Sequence, residues 1–385
     1  MIKIFNIDKT KYYFDTNSLE LYRDESPEEE CECNKEDLKE NSLYTVTFLV
    51  TNKCNARCKY CYETPGNEKM DREAADRAIS FIEKKYERIE KVCFFGGEPL
   101  LNFEIIKYIT EYMDKKFEIG HFEITTNTIL LNDEQIQFLC EHKFKVIVSF
   151  DGPVNIHDYL RIGCDYNKVF NNIRKLKRSL MRESLEINCT YTQYHEDNIG
   201  WEKLEEFFEE LGVKYTLSKV ITEKKEFKLI NGYGIEAEKK DIDRSYENLA
   251  KDALNIGISR YVSTVINAIV QHSYSDKFCG ELSAGMAFNV DGKCYPCTSL
   301  IGKCEMDDEK LDKCNSKENE LCNKCWVKGF CFLCAASLYL GESKIENIQG
   351  ECNFKELYEY SFLRLLHYYH YEPQKFQAIV DNYYK

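Results

Sequence analysis

The residues best equipped for chemistry lie in "TNKCNARCKYCYE", residues 51–63, where Cys54, Cys58 and Cys61 follow the spacing C-x3-C-x2-C. Three thiols this close are not needed to pack a core. A cubane [4Fe–4S] cluster has four irons, and three cysteine ligands leave one iron with an exchangeable position, which suits catalysis. A structural zinc site wants a fourth ligand, which Cys31 or Cys33 of the preceding segment could supply. The 19 cysteines and their clustering fit metal binding better than a disulfide framework, since a reducing compartment keeps thiols free. Cys93, Cys140 and Cys189 sit singly in apolar segments and read as small buried hydrophobes.

Composition narrows the function classes. The net charge of −14 and the scattered Lys and Arg argue against a nucleic-acid partner. No apolar run approaches the roughly 18–20 residues of a bilayer span, so no membrane partner is expected. The start "MIKIFNIDKTKYYF" lacks the pattern of a signal peptide, which makes the cytoplasm the expected location.

The elements that must position the cysteine loop follow a β-then-α rhythm. Residues 2–22 alternate as a short hairpin or meander, and a charged linker follows. Strands are then expected at "YTVTFLVT", "KVCFFGG", "FEITTN", "KVIVSFDG", "EINCTYT" and "KYTLSKV", with helices over 70–87, 103–117, 132–142, 167–182 and 201–211. Asn132 is the expected cap of the third helix. This order implies parallel strands with helical crossovers, in an open doubly wound sheet or a partial barrel. In either, functional groups collect at the carboxyl ends of the strands, where the cysteine loop, "GGEP", "TTN" and "SFDG" all fall. Residues 221–275 read as a polar helical bridge, and "FKELYEYSFLRLLHYYH" as an aromatic helix packing on the body.

"CNARCKYCY" resembles the cluster loop of the radical S-adenosylmethionine (SAM) enzymes, and the other rim motifs agree in order. "GGEP" (Gly96, Gly97, Glu98) is similar to the segment that holds the SAM amino group. "SFDGP" resembles the segment where Ser149 and Asp151 meet the ribose. "TTN" resembles the family's "TNG" strand end with Thr126 and Asn127, although Thr128 replaces the glycine. "HDYLR" is similar to a stretch in which Arg161 faces the SAM carboxylate. The resemblance spans roughly 45–220 and implies a partial (β/α)6 TIM-like α/β barrel. It further implies one-electron cleavage of SAM to a 5′-deoxyadenosyl radical, which takes a hydrogen atom from substrate.

A second cysteine field follows: Cys279, Cys297, Cys322, Cys325, Cys331, Cys334 and Cys352. "FNVDGKCYPC" reads as a hairpin turning at Asp291-Gly292. Taken alone, C-x2-C pairs suit zinc ribbons equally well. Behind a radical SAM domain the field resembles the SPASM extension, although its last C-x2-C run is one residue shorter than is usual. By that resemblance Cys322, Cys325, Cys331 and Cys352 hold a distal auxiliary cluster, and Cys279, Cys297 and Cys334 a nearer one. That gives three [4Fe–4S] clusters, with SAM as co-substrate. Cys294 is a rival ligand to the nearer cluster, although strand alternation puts it on the face opposite Cys297. The expected layout is a β region and linker over 1–40, barrel 41–225, helical bridge 226–275, SPASM domain 276–355 and C-terminal helix 356–385.

SPASM proteins mostly modify ribosomally made peptides, and the chain resembles the Cys-rich-peptide maturases that form thioethers. The expected partners are a Cys-containing precursor peptide and a flavodoxin- or ferredoxin-type electron donor. In the sulfatase-maturing branch an aspartate resembling a general base follows the cysteine of "YPC"; here it is Thr298. The competing readings are carbon–carbon cross-linking, epimerisation, sulfatase maturation, and a zinc-organised peptide-binding scaffold without catalysis.

Overall fold

The computed structural model describes residues 1–25, 41–61, 66–220, 222, 224–229, 235–251, 258–273, 285–302, 320–331 and 353–384. Cys31, Cys33, Cys279, Cys304, Cys314, Cys334 and Cys352 lie outside the described residues. The chain divides into two compact units. One comprises 39–230 with 284–311, the other 1–38, 231–283 and 312–385.

Strands β1 (Ile2–Ile7), β2 (Thr10–Asp15) and β3 (Leu21–Arg23) form an antiparallel meander in the second unit. The first unit begins with β4 (Ser42–Thr51) and a two-residue strand β5 (Arg57–Cys58), followed by α1 (Arg72–Glu83), β6 (Arg88–Gly96), α2 (Phe103–Lys116) and β7 (Glu118–Thr126). It continues with α3 (Asp133–Glu141), β8 (Lys145–Ser149), α4 (Val154–Leu160), β9 (Arg161–Ile162) and α5 (Tyr166–Ser179). Then come β10 (Leu185–Tyr191), α6 (Gln193–Asn198), α7 (Trp201–Leu211) and β11 (Lys214–Lys219). A hairpin of β12 (Gly285–Phe288) and β13 (Cys294–Tyr295) completes it.

The sheet order is β11-β10-β8-β7-β6-β4-β12-β13, with every neighbouring pair parallel except the last. The six expected strands thus lie side by side in chain order, as an open (β/α)6 partial barrel. Parallel pairing forces each strand's carboxyl end onto one rim, because each helix returns the chain to the opposite end. Phe288, Phe48 and Phe94 sit in register across three strands, with rings 5.6 and 6.0 Å apart, and Phe144 extends the stack 5.8 Å from Phe94. Each such buried side chain contributes about 1.5–3 kcal/mol by leaving water.

Local signals placed the helices. Ala74, Ala75, Ala78, Ile79 and Ile82 of α1 share the buried face, and Asp71 caps it by accepting from the Ala74 amide. Asn132 caps α3 in a reciprocal box with Gln135. The sequence pattern missed α4, α6 and the β5–β9 pair, which are too short to display a period.

The second unit adds α8 (Ile235–Ala250), α9 (Arg260–Val270), a single turn α10 (Glu320–Asn323), α11 (Asn353–Tyr371) and α12 (Pro373–Tyr383). The segment read as a polar bridge carries apolar faces, because Ile242, Tyr246, Tyr261, Val262, Val265 and Ile266 enter a common core. The meander caps that core: Phe5 stacks on Phe362 at 4.6 Å, and Phe14 meets the same ring at 4.7 Å. Buried Ser361 donates to the Tyr261 carbonyl and pairs with the Tyr246 hydroxyl, so this polar group at the helix contacts is satisfied.

Candidate active site

The cysteine loop leaves the end of β4 and is clamped by the turn after β6. A register shift between Leu49 and Thr51 loosens the β4–β6 ladder just before the loop. Gly97 and Glu98 then donate their amides to the Thr51 and Lys53 carbonyls, each at 2.9 Å. A Cβ on Gly96, whose φ is +145°, would lie 2.1 Å from the Thr51 oxygen, and one on Gly97 2.4 Å from the Lys53 oxygen. Both glycines are therefore required for the two backbones to approach this closely. On the far side β5 pairs with β9, so Cys58 sits opposite Arg161.

Cys54, Cys58 and Cys61 are all half-buried free thiols. The Ala56 amide lies 3.4 Å from the Cys54 Sγ, and Arg161 Nη1 3.9 Å from the Cys58 Sγ. Burial pushes the Cys54 thiol up, and pushes Cys58 up to about 11 against the opposing pull of Arg161. Three thiols on one constrained loop, with an amide and a guanidinium aimed at two of the sulfurs, are the ligand type of a soft metal centre, although among the described residues no three such groups are already gathered closely enough to hold a metal ion.

The next two rim segments are joined through Glu98, which is 1% exposed. Its Oε1 accepts from the Thr126 hydroxyl at 2.6 Å and the Leu100 amide at 3.1 Å, and its Oε2 from the Asn127 amide at 2.8 Å. Burial raises its pKa against these three bonds. Three of the roughly four acceptor positions of the carboxylate are thus used within the protein, leaving one on Oε2. Asn127 also reaches Asn55 of the cysteine loop at 2.9 Å. Thr128, standing where the family motif has glycine, adopts φ +60° and buries its hydroxyl without a partner. A β-branched residue in the left-handed region is strained, which explains the glycine in the motif it resembles.

Asp151 is completely buried, and the structure satisfies all its polar atoms. Oδ1 accepts from Arg161 Nη2 at 3.0 Å and the Thr190 amide at 3.1 Å. Oδ2 accepts from the Tyr60 hydroxyl at 2.7 Å and lies 2.9 Å from Arg161 Nε. The Asp151 amide donates to His157 Nδ1 at 3.2 Å, and its carbonyl accepts from His195 Nε2 at 3.0 Å. Since His157 Nδ1 is the acceptor, its Nε2 carries the proton and donates to the Cys164 carbonyl at 3.0 Å. Burial pushes His157 down to about 4, overcoming the pull of the Asp151 carboxylate, and lowers His195 as well. Burial pushes Asp151 up, but Arg161, followed by the two imidazoles, outweighs it and holds the carboxyl below its ordinary range. Ser149 sits half-buried at the end of β8.

The residues expected at the SAM site therefore do converge on one rim, but most of the acceptor capacity of Asp151 and of Glu98 is spent on neighbouring protein groups. His157, His195, Tyr60 and Thr190 were missing from the candidate set. His157 lay within the quoted "HDYLR", whereas nothing local to His195 signals that it reaches Asp151.

In the second cysteine field the expected hairpin forms, with Ala287 opposite Tyr295, Phe288 opposite Cys294, and Gly292 at φ +79°. β13 ends at Tyr295, and a 3-10 turn starts at Thr298, so strand alternation does not extend from Cys294 to Cys297. Both sulfurs are buried in the barrel unit. In the second unit, Cys322 and Cys325 flank a tight turn in which the Cys325 amide donates to the Cys322 carbonyl at 3.0 Å. Cys331 is buried against the aromatic core beside Phe330.

Residues 48–211 match the Radical SAM superfamily. The chain carries a radical SAM domain and is an enzyme. That match runs from Phe48 in β4 to the end of α7 and contains every rim segment described above. Enzymes of this superfamily use a [4Fe–4S] cluster and SAM. This radical SAM chain is 30% identical to the radical SAM cyclopropyl synthase TigE of Paramaledivibacter caminithermalis, over 43% of its own length and 38% of the relative's. It thus spans less than half of that protein. It is 25% identical to the cysteine-type anaerobic sulfatase-maturating enzyme of Clostridium perfringens, over 81% of this chain and 94% of that one. Its fold is shared with native anSMEcpe bound to AdoMet and the Cp18Cys peptide, at a TM-score of 0.64 and 22% identity, covering 85% of this chain and 98% of that one. It is shared too with Streptococcus suis SuiB bound to precursor peptide SuiA, at a TM-score of 0.56 and 14% identity, covering 79% and 74%. Among the described residues no helix is long and apolar enough to cross a membrane.

Proposed function

We propose that this radical SAM enzyme is a peptide maturase that joins a cysteine sulfur to a carbon atom in a ribosomally made precursor peptide. Cys54, Cys58 and Cys61 would hold the SAM-binding [4Fe–4S] cluster, which when bound with SAM supplies the 5′-deoxyadenosyl radical. Gly96 and Gly97 hold the loop in place, and the remaining acceptor position of Glu98 is available to the SAM ammonium. Thr126, Asn127 and Ser149 line the rim beside it. Arg161, with Nη1 turned toward the cysteine loop, provides positive charge for the SAM carboxylate.

Two auxiliary clusters belong to the same reading. Cys322, Cys325, Cys331 and Cys352 would complete one, whereas Cys279, Cys297 and Cys334 would leave the other a position for a substrate thiol. A bound thiol loses its proton at a metal. The carbon would give a hydrogen atom to the deoxyadenosyl radical and bond to the deprotonated sulfur, and the one surplus electron would pass to the auxiliary cluster that holds the thiol.

The observation that carries the thioether reading is Thr298. It follows Cys297 directly, half-buried at the start of the 3-10 turn, and a hydroxyl cannot serve as a base at neutral pH. The resemblance puts an aspartate there in sulfatase maturation. The near full-length match to a sulfatase-maturating enzyme makes that activity the second reading.

The test is anaerobic incubation of the reconstituted full chain with SAM, dithionite and a Cys-containing precursor peptide. The expected product is lighter by two hydrogens per cross-link and has a cysteine that alkylating reagent no longer modifies. Cys294→Ala should retain this activity if Cys294 is not a ligand. A product with every thiol free replaces the thioether by a carbon–carbon bond or an epimer, and a converted cysteine without a cross-link selects the sulfatase-type reaction. Zinc in place of iron, with no 5′-deoxyadenosine, would leave the peptide-binding scaffold.

A further inference from the structure

Asp151 is more elaborately held than a ligand-contacting carboxylate needs to be. Its amide and carbonyl are fixed by two neutral imidazoles, and its carboxylate by Arg161, Tyr60 and the Thr190 amide. Three of its roughly four acceptor positions carry hydrogen bonds, and Arg161 Nε lies 2.9 Å from Oδ2, crowding the fourth. The product of all these contacts is the placement of Arg161. Its Nε and Nη2 face Asp151, which turns Nη1 toward the Cys58 Sγ, 3.9 Å away. The pairing of β5 with β9 fixes the same register through the backbone, setting Cys58 opposite Arg161. The pair is 0% and 7% exposed, so water screens its charges little.

We propose that Asp151 and Arg161 are positioning residues that act as an oriented charge pair, setting the reduction potential of the centre bound by Cys58. This rests on the reading that Cys54, Cys58 and Cys61 bind an iron–sulfur cluster. Net charge and donors at the sulfurs are among the factors that tune such potentials. A guanidinium next to one thiolate favours the reduced, more negative state. Asp151, lying behind Arg161, opposes this from farther away while fixing the guanidinium's direction. Tyr60, His157 and His195 act through Asp151.

The test is a redox titration of the reconstituted full-length protein, followed by electron paramagnetic resonance, with iron and sulfide counted in parallel. To isolate one centre, the titrations are run in a background lacking the auxiliary cysteines Cys279, Cys297, Cys322 and Cys325. Asp151→Asn keeps the shape, removes the opposing charge, and should raise the potential. The double variant Asp151→Asn with Arg161→Gln removes both charges and should lower it below wild type. A merely structural role would not give shifts of opposite sign. Shifts of the same sign, or none, at wild-type iron content would overturn the proposal. Should the double variant fail to load iron, Arg161→Lys replaces it; the shorter reach to Cys58 should again lower the potential, and an unchanged value would count against the charge pair. Failure of the underlying cluster reading is distinguishable. In that case replacing Cys54, Cys58 and Cys61 together by Ala would leave the iron content of the background protein unchanged.

Discussion

At the scale of single residues, two buried groups carry the clearest consequences. Glu98 accepts three hydrogen bonds while almost wholly excluded from water. Glu98→Gln would turn an amide donor toward the Asn127 amide or strand the Thr126 hydroxyl. The expected loss is about 2–3 kcal/mol of stability, measured by urea unfolding, even without SAM. Stability equal to wild type would mean that Glu98 does not join β6 to β7. His157 supplies a pH dependence of definite sign. In the fold its pKa is about 4, whereas a free imidazole titrates near 6.5. Its stabilisation is therefore complete above pH 6.5 and lost as pH falls through 4, a difference on the order of 3 kcal/mol. His195 is shifted in the same direction. Urea unfolding between pH 7 and 4.5 should show a shallower acid decline in His157→Gln than in wild type. Equal declines would remove His157 from the cause.

At the scale of elements, the turns after β6 and β7 decide how the rim is shaped. Gly97→Ala places a methyl group 2.4 Å from the Lys53 carbonyl, so either the turn or the cysteine loop must move. The expected result is loss of loaded iron from the loop, with most helical circular dichroism retained. Full iron loading would show that the close approach is dispensable. Thr128 presents the opposite case. Its φ of +60° and orphaned hydroxyl cost on the order of 1–3 kcal/mol, more than the methyl burial that it gains. Thr128→Gly should therefore raise the urea midpoint, by a net gain of about 1 kcal/mol. A lower midpoint would mean that the cavity left behind outweighs the relieved strain.

At the scale of the molecule, the chain's two tryptophans report on different units. Trp201 opens α7 in the barrel unit, and Trp326 lies in the aromatic core of the other, 5.6 Å from the Phe362 ring. Phe362→Ala removes a ring shared by Phe5, Phe14 and Trp326, at an expected cost of about 3–5 kcal/mol. In single-tryptophan backgrounds the transition reported by Trp326 should move to lower urea by more than that reported by Trp201. Equal movement would show that the two units unfold as one.

Much of this was legible in the sequence because its cause is local. Apolar period marks β4 and α1, an oxygen at Asn132 caps α3, a glycine at position 292 turns the hairpin, and strand-then-helix order places "GGEP", "TTN" and "SFDG" on one rim with the cysteine loop. Residue type and order also marked Glu98, Asp151 and Arg161 as important. What each does was decided by tertiary structure. Whether a carboxylate is free for a ligand depends on how many of its lone pairs neighbouring groups already occupy. For Asp151 those neighbours include Tyr60, 91 positions earlier, and Thr190, 39 positions later, with His195 securing its carbonyl. The second unit follows the same logic, since segments from both ends of the chain and from 231–283 share one core. Periodicity shows that a helix such as α9 has an apolar face, but only packing selects the partner that buries it.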